Sequence, residues 1–348
     1  MPELERASYQ ASVRGLPVDL YTLRNRHGMR VRICNLGARI QQILAPDRHG
    51  QLADVVLGHG SLAGILQDTA WHGAFAGRYA NRIGGTRLLL DGVAHKLPAN
   101  DGPNLLHGGD AGCAMQVFDV RRSDDQVLAL SYCFVSANDG FPGDLDLQLT
   151  YRLDDANTLA IEWVAQALDR ATVASFTSHG YFNLSGVPGS TVLDHQVTIH
   201  ADRYLETGDG QLPTGRVLGV EGTPFDFRQP RSVGGAPSHA ASYDHYWVKP
   251  LAGQDGTLTL DASVHHPASG RGMEVWSTEP GLQFYAGHML NQQPDALPDK
   301  HGLQLPAHAG LCLAPSRYPD APNHPQFPDT RITPGSPRTG CIQYRFTS

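Results

Sequence analysis

Hydrophobic and polar residues alternate with period two along most of the chain. In "DLDLQLTYRLDDANTLAIEW" (144–163), Leu145, Leu147, Leu149, Tyr151 and Leu153 fall on one side, and Asp146, Gln148, Thr150 and Arg152 on the other. That spacing predicts a strand with one face buried, because successive side chains of an extended chain point to opposite faces. Asp154-Asp155-Ala156-Asn157 then predicts a turn, and Leu159, Ile161 and Trp163 a second strand. The same form recurs. "RLLLDGVAHKL" predicts a hairpin on Asp91-Gly92, a pair suited to the left-handed conformations a tight hairpin turn needs. "QVFDVRRSDDQVLALSYCF" predicts one near Ser123-Asp124-Asp125, and "LTLDASVHHPASGRGMEVW" one near Ser269-Gly270. Only "GSLAGILQD" (60–68) has room for a turn or two of helix. Gly and Pro are spread as turn punctuation instead of being gathered into a linker, and no block repeats. The expectation is an all-β protein: a large antiparallel β-sandwich over residues 1–348 as one domain, with functional groups on loops at one face.

Composition narrows the classes of function. A net charge of −7 argues against a nucleic-acid footprint, and no apolar run approaches the length of a membrane helix. The start, "MPELERASYQ", has no apolar segment of the kind a secretory signal carries. Five scattered cysteines, at positions 34, 113, 133, 312 and 341, suit reduced thiols in a cytoplasmic protein. Phosphate-loop, dinucleotide, H-E-x-x-H and G-x-S-x-G motifs are all missing. His265-His266 is the obvious metal-like pair, but neighbours on a strand face opposite ways and do not chelate one ion; solvent-facing histidines beside a turn are expected there.

Four stretches carry polar groups in a setting that suits a ligand. "GAFAGRYANRIGG" (73–85) surrounds Arg78, Asn81 and Arg82 with small residues, which leave room for a planar donor fork. Arg78 suits a ligand or a structural carboxylate equally well. "GPNLLHGGD" sets His107 against two glycines, as a closely approached backbone requires. "SFTSHGYFNLSG" places His179 before Tyr181 and Phe182, aromatic faces fit for a sugar. "YDHYWV" puts Asp244 among aromatics, where it either caps a turn or accepts from ligand hydroxyls.

Taken with "LPTGRVLGVEGTPFDFR", "SGRGMEVWSTEPGLQFYAG" and "YPDAPN", these stretches come in an order that resembles the aldose 1-epimerase (galactose mutarotase) family over nearly the whole chain. The resemblance implies a β-supersandwich with an open cleft for a monosaccharide and no metal or cofactor. It implies an isomerase that interconverts the α and β anomers of a hexose. His179 then looks like the acid serving the ring oxygen, Arg82 and His107 like donors near that oxygen with Asn81 beside them, and Asp244 and Gln283 like further sugar contacts. Neither nucleic acid nor membrane is an implied partner, and a monomer or a dimer fits equally.

One departure bears on chemistry. After "CL", where the family usually has Glu as the base for the C1 hydroxyl, this chain reads "CLAPSRYPD", with Ala314 at that position and Ser316 where Gln is usual. Alanine accepts no proton. Three readings follow: a Glu→Ala change that disarms an active enzyme, drift to a sugar-binding protein, or an epimerase-like enzyme for a modified sugar. Arg78, Arg203 and Arg317 are the cations available for the last. His288, in "YAGHML" where the family commonly has Asn, is a candidate replacement base.

Overall fold

A computed structural model describes residues 3–235, 242–250, 256–292 and 298–348. Three sheets dominate, and every pairing within them is antiparallel. The largest has nine strands, running Asp119–Ser123, Val127–Phe134, Leu145–Leu153, Thr158–Ala167, Arg338–Thr347, Gly272–Ser277, Thr259–His265, Gln196–Ile199 and Arg231–Ser232 across its width. A six-stranded sheet runs Tyr181–Phe182, Leu311–Ser316, Gly281–Tyr285, Asp244–Val248, Arg203–Thr207 and Pro213–Gly219. A four-stranded sheet takes Leu20–Arg24, Arg30–Cys34, Arg39–Pro46 and Leu52–Asp54.

The alternation read in the sequence is the alternation of burial. Leu145, Leu147, Leu149, Tyr151 and Leu153 are all buried, and the strand pairs with Thr158–Ala167 in the register Leu149 opposite Trp163. Leu90 faces Val93 across the Asp91-Gly92 turn, where both turn residues have positive φ. The hairpins near residues 124 and 269 also form. Side chains of all three sheets meet in one core: Val31 and Ile43, Leu149 and Tyr344, Trp247, Phe284 and Leu313. The helix expected in 60–68 is Leu62–Leu66, with the Ser61 hydroxyl accepting from Gly64 N–H at 3.4 Å. A second, four-residue helix at Ser136–Asp139 has too little length for a period to be read from sequence. Among the described residues no helix is long and apolar enough to cross a membrane.

One expectation about a single residue changes, and one that stood open between two readings is resolved. His265 and His266 do face opposite ways, but His266 is not solvent-facing. It is buried, 4.7 Å ring to ring from His195, and shares the Asp194 carboxylate with it. Asp194 and His195, brought from about seventy residues earlier in the chain, meet its ring there, and Ser269 Oγ lies 2.8 Å from its Nδ1. Arg78 is structural: fully buried, it donates to Asp139 at 2.9 Å, to the Gly143 carbonyl at 2.5 Å and to the Thr172 hydroxyl at 2.5 Å. All five cysteines are free thiols.

Candidate active site

The cleft opens where the six-stranded sheet meets the loops of residues 68–82 and 104–109. Its open space, counted out past the mouth, is about 870 Å³. The strand Leu311–Ser316 forms part of the floor. It is buried along its whole length. Leu311 and Leu313 enter the core, so period two turns Cys312, Ala314 and Ser316 toward the cleft.

"GRYANRI" and "NLLHGG" meet through the short pairing of Arg82–Ile83 with Leu105–Leu106. Asn81 and His107 both take positive φ, which is uncommon for non-glycine residues and marks a backbone fixed by its surroundings. The Asn81 N–H donates to His107 Nδ1 at 3.2 Å, and the His107 N–H donates to the Asn81 carbonyl at 3.0 Å. A ring nitrogen that accepts carries no hydrogen, so the neutral His107 ring carries its proton on Nε2. Burial, then the neighbouring His179 and Arg82, hold its pKa well below that of an ordinary histidine. Arg82 reaches the cleft with its Nε donating to Asp101 at 2.7 Å. "YPDAPN" is the clamp behind it: Asp320 donates its N–H to the Arg82 carbonyl at 2.8 Å and accepts from Gly84 N–H at 2.9 Å.

His179 is held by main chain on both sides. Its N–H donates to the Ala74 carbonyl at 2.8 Å, and its carbonyl accepts from Gly73 N–H at 3.0 Å. Its ring lies 5.0 Å from that of His107 and 5.0 Å from that of Tyr181, and Cys312 Sγ lies 3.9 Å from its Nδ1. Burial and the nearby His72 lower its pKa to about 4, so the ring is neutral at pH 7. On the other wall Gln283 bridges two groups: its Oε1 accepts from Asn81 Nδ2 at 3.2 Å, and its Nε2 donates to Asp244 Oδ1 at 2.6 Å. Asp244 is the one carboxylate among the described residues lining the cleft.

Asn81, Arg82, His107, His179, Asp244, Gln283 and Ala314, far apart in sequence, therefore line one cavity. Phe182, expected beside the sugar with Tyr181, instead enters the core against Tyr344 at 4.8 Å. Tyr181 alone faces the cleft, as adjacent strand residues must divide between two faces. His288 stands behind Tyr285, 5.2 Å ring to ring, and is not among the cleft-lining residues. Arg78, Arg203 and Arg317 are not among them either; Arg317 faces Glu279 at 3.3 Å. Trp71, Tyr285 and Cys312 line the cleft but went unread in the sequence. Cys312 was legible from its spacing of two from Ala314; Trp71 lies in an aperiodic loop with no such signal.

The site thus presents neutral imidazoles, a guanidinium, two amides and one carboxylate beside the aromatic faces of Trp71, Tyr181 and Tyr285, a set suited to a ring bearing several hydroxyls. Comparison with known proteins shows the family. The family description Aldose 1-epimerase matches residues 19–345. Galactose mutarotase of Rattus norvegicus is 38% identical over 339 residues, 96% of this chain and 95% of that one. Aldose 1-epimerase of Escherichia coli K12 is 32% identical, covering 95% of this chain and 96% of its own length. A GalM/aldose epimerase homologue from C. elegans superposes with a TM-score of 0.87 at 28% identity, covering 95% of this chain and 99% of its own. The chain belongs to the aldose 1-epimerase family of isomerases.

Proposed function

We propose that the cleft binds the pyranose form of a hexose such as glucose or galactose. We further propose that the chain interconverts its anomers only slowly, because a methyl group stands where ring opening needs a base. In this reading Arg82, His107 and Asn81 hold the sugar near its ring oxygen. His179 serves that oxygen as the acid, and Asp244 and Gln283 take ring hydroxyls. The names of the relatives, galactose mutarotase and aldose 1-epimerase, support the substrate class.

Ala314 is the observation that carries the proposal. It lies between Cys312 and Ser316 on the cleft side of its strand, two residues from the thiol that touches His179. Among the described residues the only lining carboxylate, Asp244, is already engaged by Gln283. The loss is double. Among the described lining residues no free carboxylate takes the proton of the C1 hydroxyl, and His179, its pKa lowered to about 4 by burial, stays neutral and is a weak acid.

The test is Ala314→Glu, followed by polarimetry on freshly dissolved α-D-glucose or α-D-galactose. The parent chain is expected to bind sugar in calorimetry while running close to the buffer rate. The variant is expected to gain about 10²- to 10⁴-fold, the usual contribution of a general acid or base. The new carboxylate is also expected to raise the His179 pKa. Retained binding with no gain in rate would remove the catalytic part of the proposal; no heat with any common aldose would remove the rest. A second reading, a sugar-binding protein without turnover, is favoured by Ser316, a further departure at the next cleft-facing position. It expects binding from both forms and turnover from neither. The five free thiols support a cytoplasmic location.

A further inference from the structure

Residues 68–74 connect the helix Leu62–Leu66 to the strand Phe75–Ala76 with no sheet pairing of their own. Yet this segment supplies Trp71 to the cleft and both main-chain bonds that hold His179. Trp71 and Gly73 take positive φ, so local preference does not set its shape. A buried carboxylate does. The side chain of Asp68 is fully buried and ion-paired to the equally buried Arg39. It also accepts the N–H of Ala70 at 3.1 Å, the N–H of His72 at 2.9 Å and His72 Nδ1 at 2.8 Å. Arg39 in turn donates to the carbonyls of His72 at 3.1 Å and Ala114 at 3.1 Å.

Two amides folded around one carboxylate force the residue between them outward. That residue is Trp71, whose ring lies 5.0 Å from His107 and 6.4 Å from His179. On the far side, Tyr181 donates its hydroxyl to the Ala70 carbonyl at 3.1 Å, and its ring packs 5.0 Å from His72. We infer that Asp68, held by Arg39, is a positioning residue: it fixes segment 68–74 so that Trp71 walls the cleft and Gly73 and Ala74 hold His179 in place. The significance of that position rests on the sugar-binding reading above. Asp68, His59 and His72 also bring ligating atoms within 4.8 Å of one another. The guanidinium of Arg39 already supplies the positive charge a metal ion would bring to that carboxylate, so the cluster is an ion-paired anchor.

The test uses the full chain with Asp68→Asn, which keeps the shape and removes the charge opposite Arg39. Two quantities are read in the folded protein: the His179 ring resonances by ¹H–¹⁵N correlation at pH 7.5, and the dissociation constant for galactose. Displaced ring resonances are expected. The dissociation constant is expected to rise at least about tenfold, about what losing one good hydrogen bond in the site costs. His72→Gln, whose amide can still donate to Asp68, is expected to stay closer to the parent than His72→Phe. A folded Asp68→Asn with unmoved His179 resonances and an unchanged dissociation constant overturns the inference; Asp68→Glu, which keeps the charge, separates displacement of the ring from the electrostatic effect of Asp68 on it. Should that variant not fold, Asp68→Glu decides by the same measurement, since it keeps the charge and shifts the oxygens by one methylene. The ring measurement needs no sugar. A parent chain that binds no aldose therefore sinks the sugar reading and leaves the role of Asp68 to be judged separately.

Discussion

Gln283 sits between Asn81 and Asp244, accepting from one and donating to the other. Its amide does both, whereas an ionised carboxylate only accepts, so Gln283→Glu is expected to set two carboxylates at hydrogen-bond distance. The two like charges then repel across the cleft, and a proton shared between them is favoured as pH falls. The expected loss of sugar affinity is roughly 1.5–3 kcal/mol, the range for hydrogen bonds to charged groups. Calorimetry checks it, and a partial return of binding at lower pH is expected as the pair protonates. Arg78 gives the opposite outcome. Arg78→Met leaves Asp139 buried without its counter-ion, which is expected to cost about 3–5 kcal/mol in urea unfolding. Sugar binding by the folded fraction is expected to be unchanged. Sequence alone left Arg78 between ligand and structure because both need small neighbours; its partners, Asp139 and Thr172, lie 61 and 94 residues away.

The hairpins were the most legible elements, because a two-residue period and a turn pair are local properties. The strand Leu311–Ser316 was legible in its alternation too. What made Ala314 a cleft residue is its partners: Gln283 stands opposite Ala314 and Tyr181 opposite Cys312. A slip of one residue would turn Leu313 to the cleft and bury the other set. The loop 68–74 was not legible at all. Gly73 shows why it has one workable shape. A Cβ at that position would lie 1.9 Å from the Ile40 carbonyl oxygen, and its φ is +67°. Gly73→Ala is therefore expected to cost more than about 2 kcal/mol, above the usual effect of a single substitution. Because the Gly73 N–H also holds His179, weaker sugar binding is expected alongside the lower denaturation midpoint. Unchanged binding with a lower midpoint would show that the His179 main chain keeps its place without this contact.

For the molecule as a whole, acid is the informative stress. Burial lowers the pKa of His195 to about 4 against the opposing bond to Asp194, and its Nε2 accepts from Leu184 N–H at 2.9 Å, which requires the neutral ring. His179 is lowered similarly. A histidine whose folded pKa lies below its unfolded value contributes its full stability above the unfolded value of about 6.5. That contribution is lost as pH falls from there toward 4, because the unfolded chain takes up the proton first. For the fully buried His195 the expected loss is roughly 3 kcal/mol. A urea midpoint that stays constant from pH 7.5 to 4.5 would contradict this.

The sequence by itself determined the all-β class, the hairpins, the family resemblance and the methyl group at 314. Each is written in local alternation, in turn residues or in the order of short motifs. Only the tertiary structure decided which polar groups share the cleft, that Arg78 and His266 are buried structural groups, and that Trp71 is thrown into the site by a carboxylate three residues before it. Those outcomes depend on strand register and on contacts between residues far apart along the chain. A hydrophobic pattern carries the face on which a side chain lies, but not the partner it meets there.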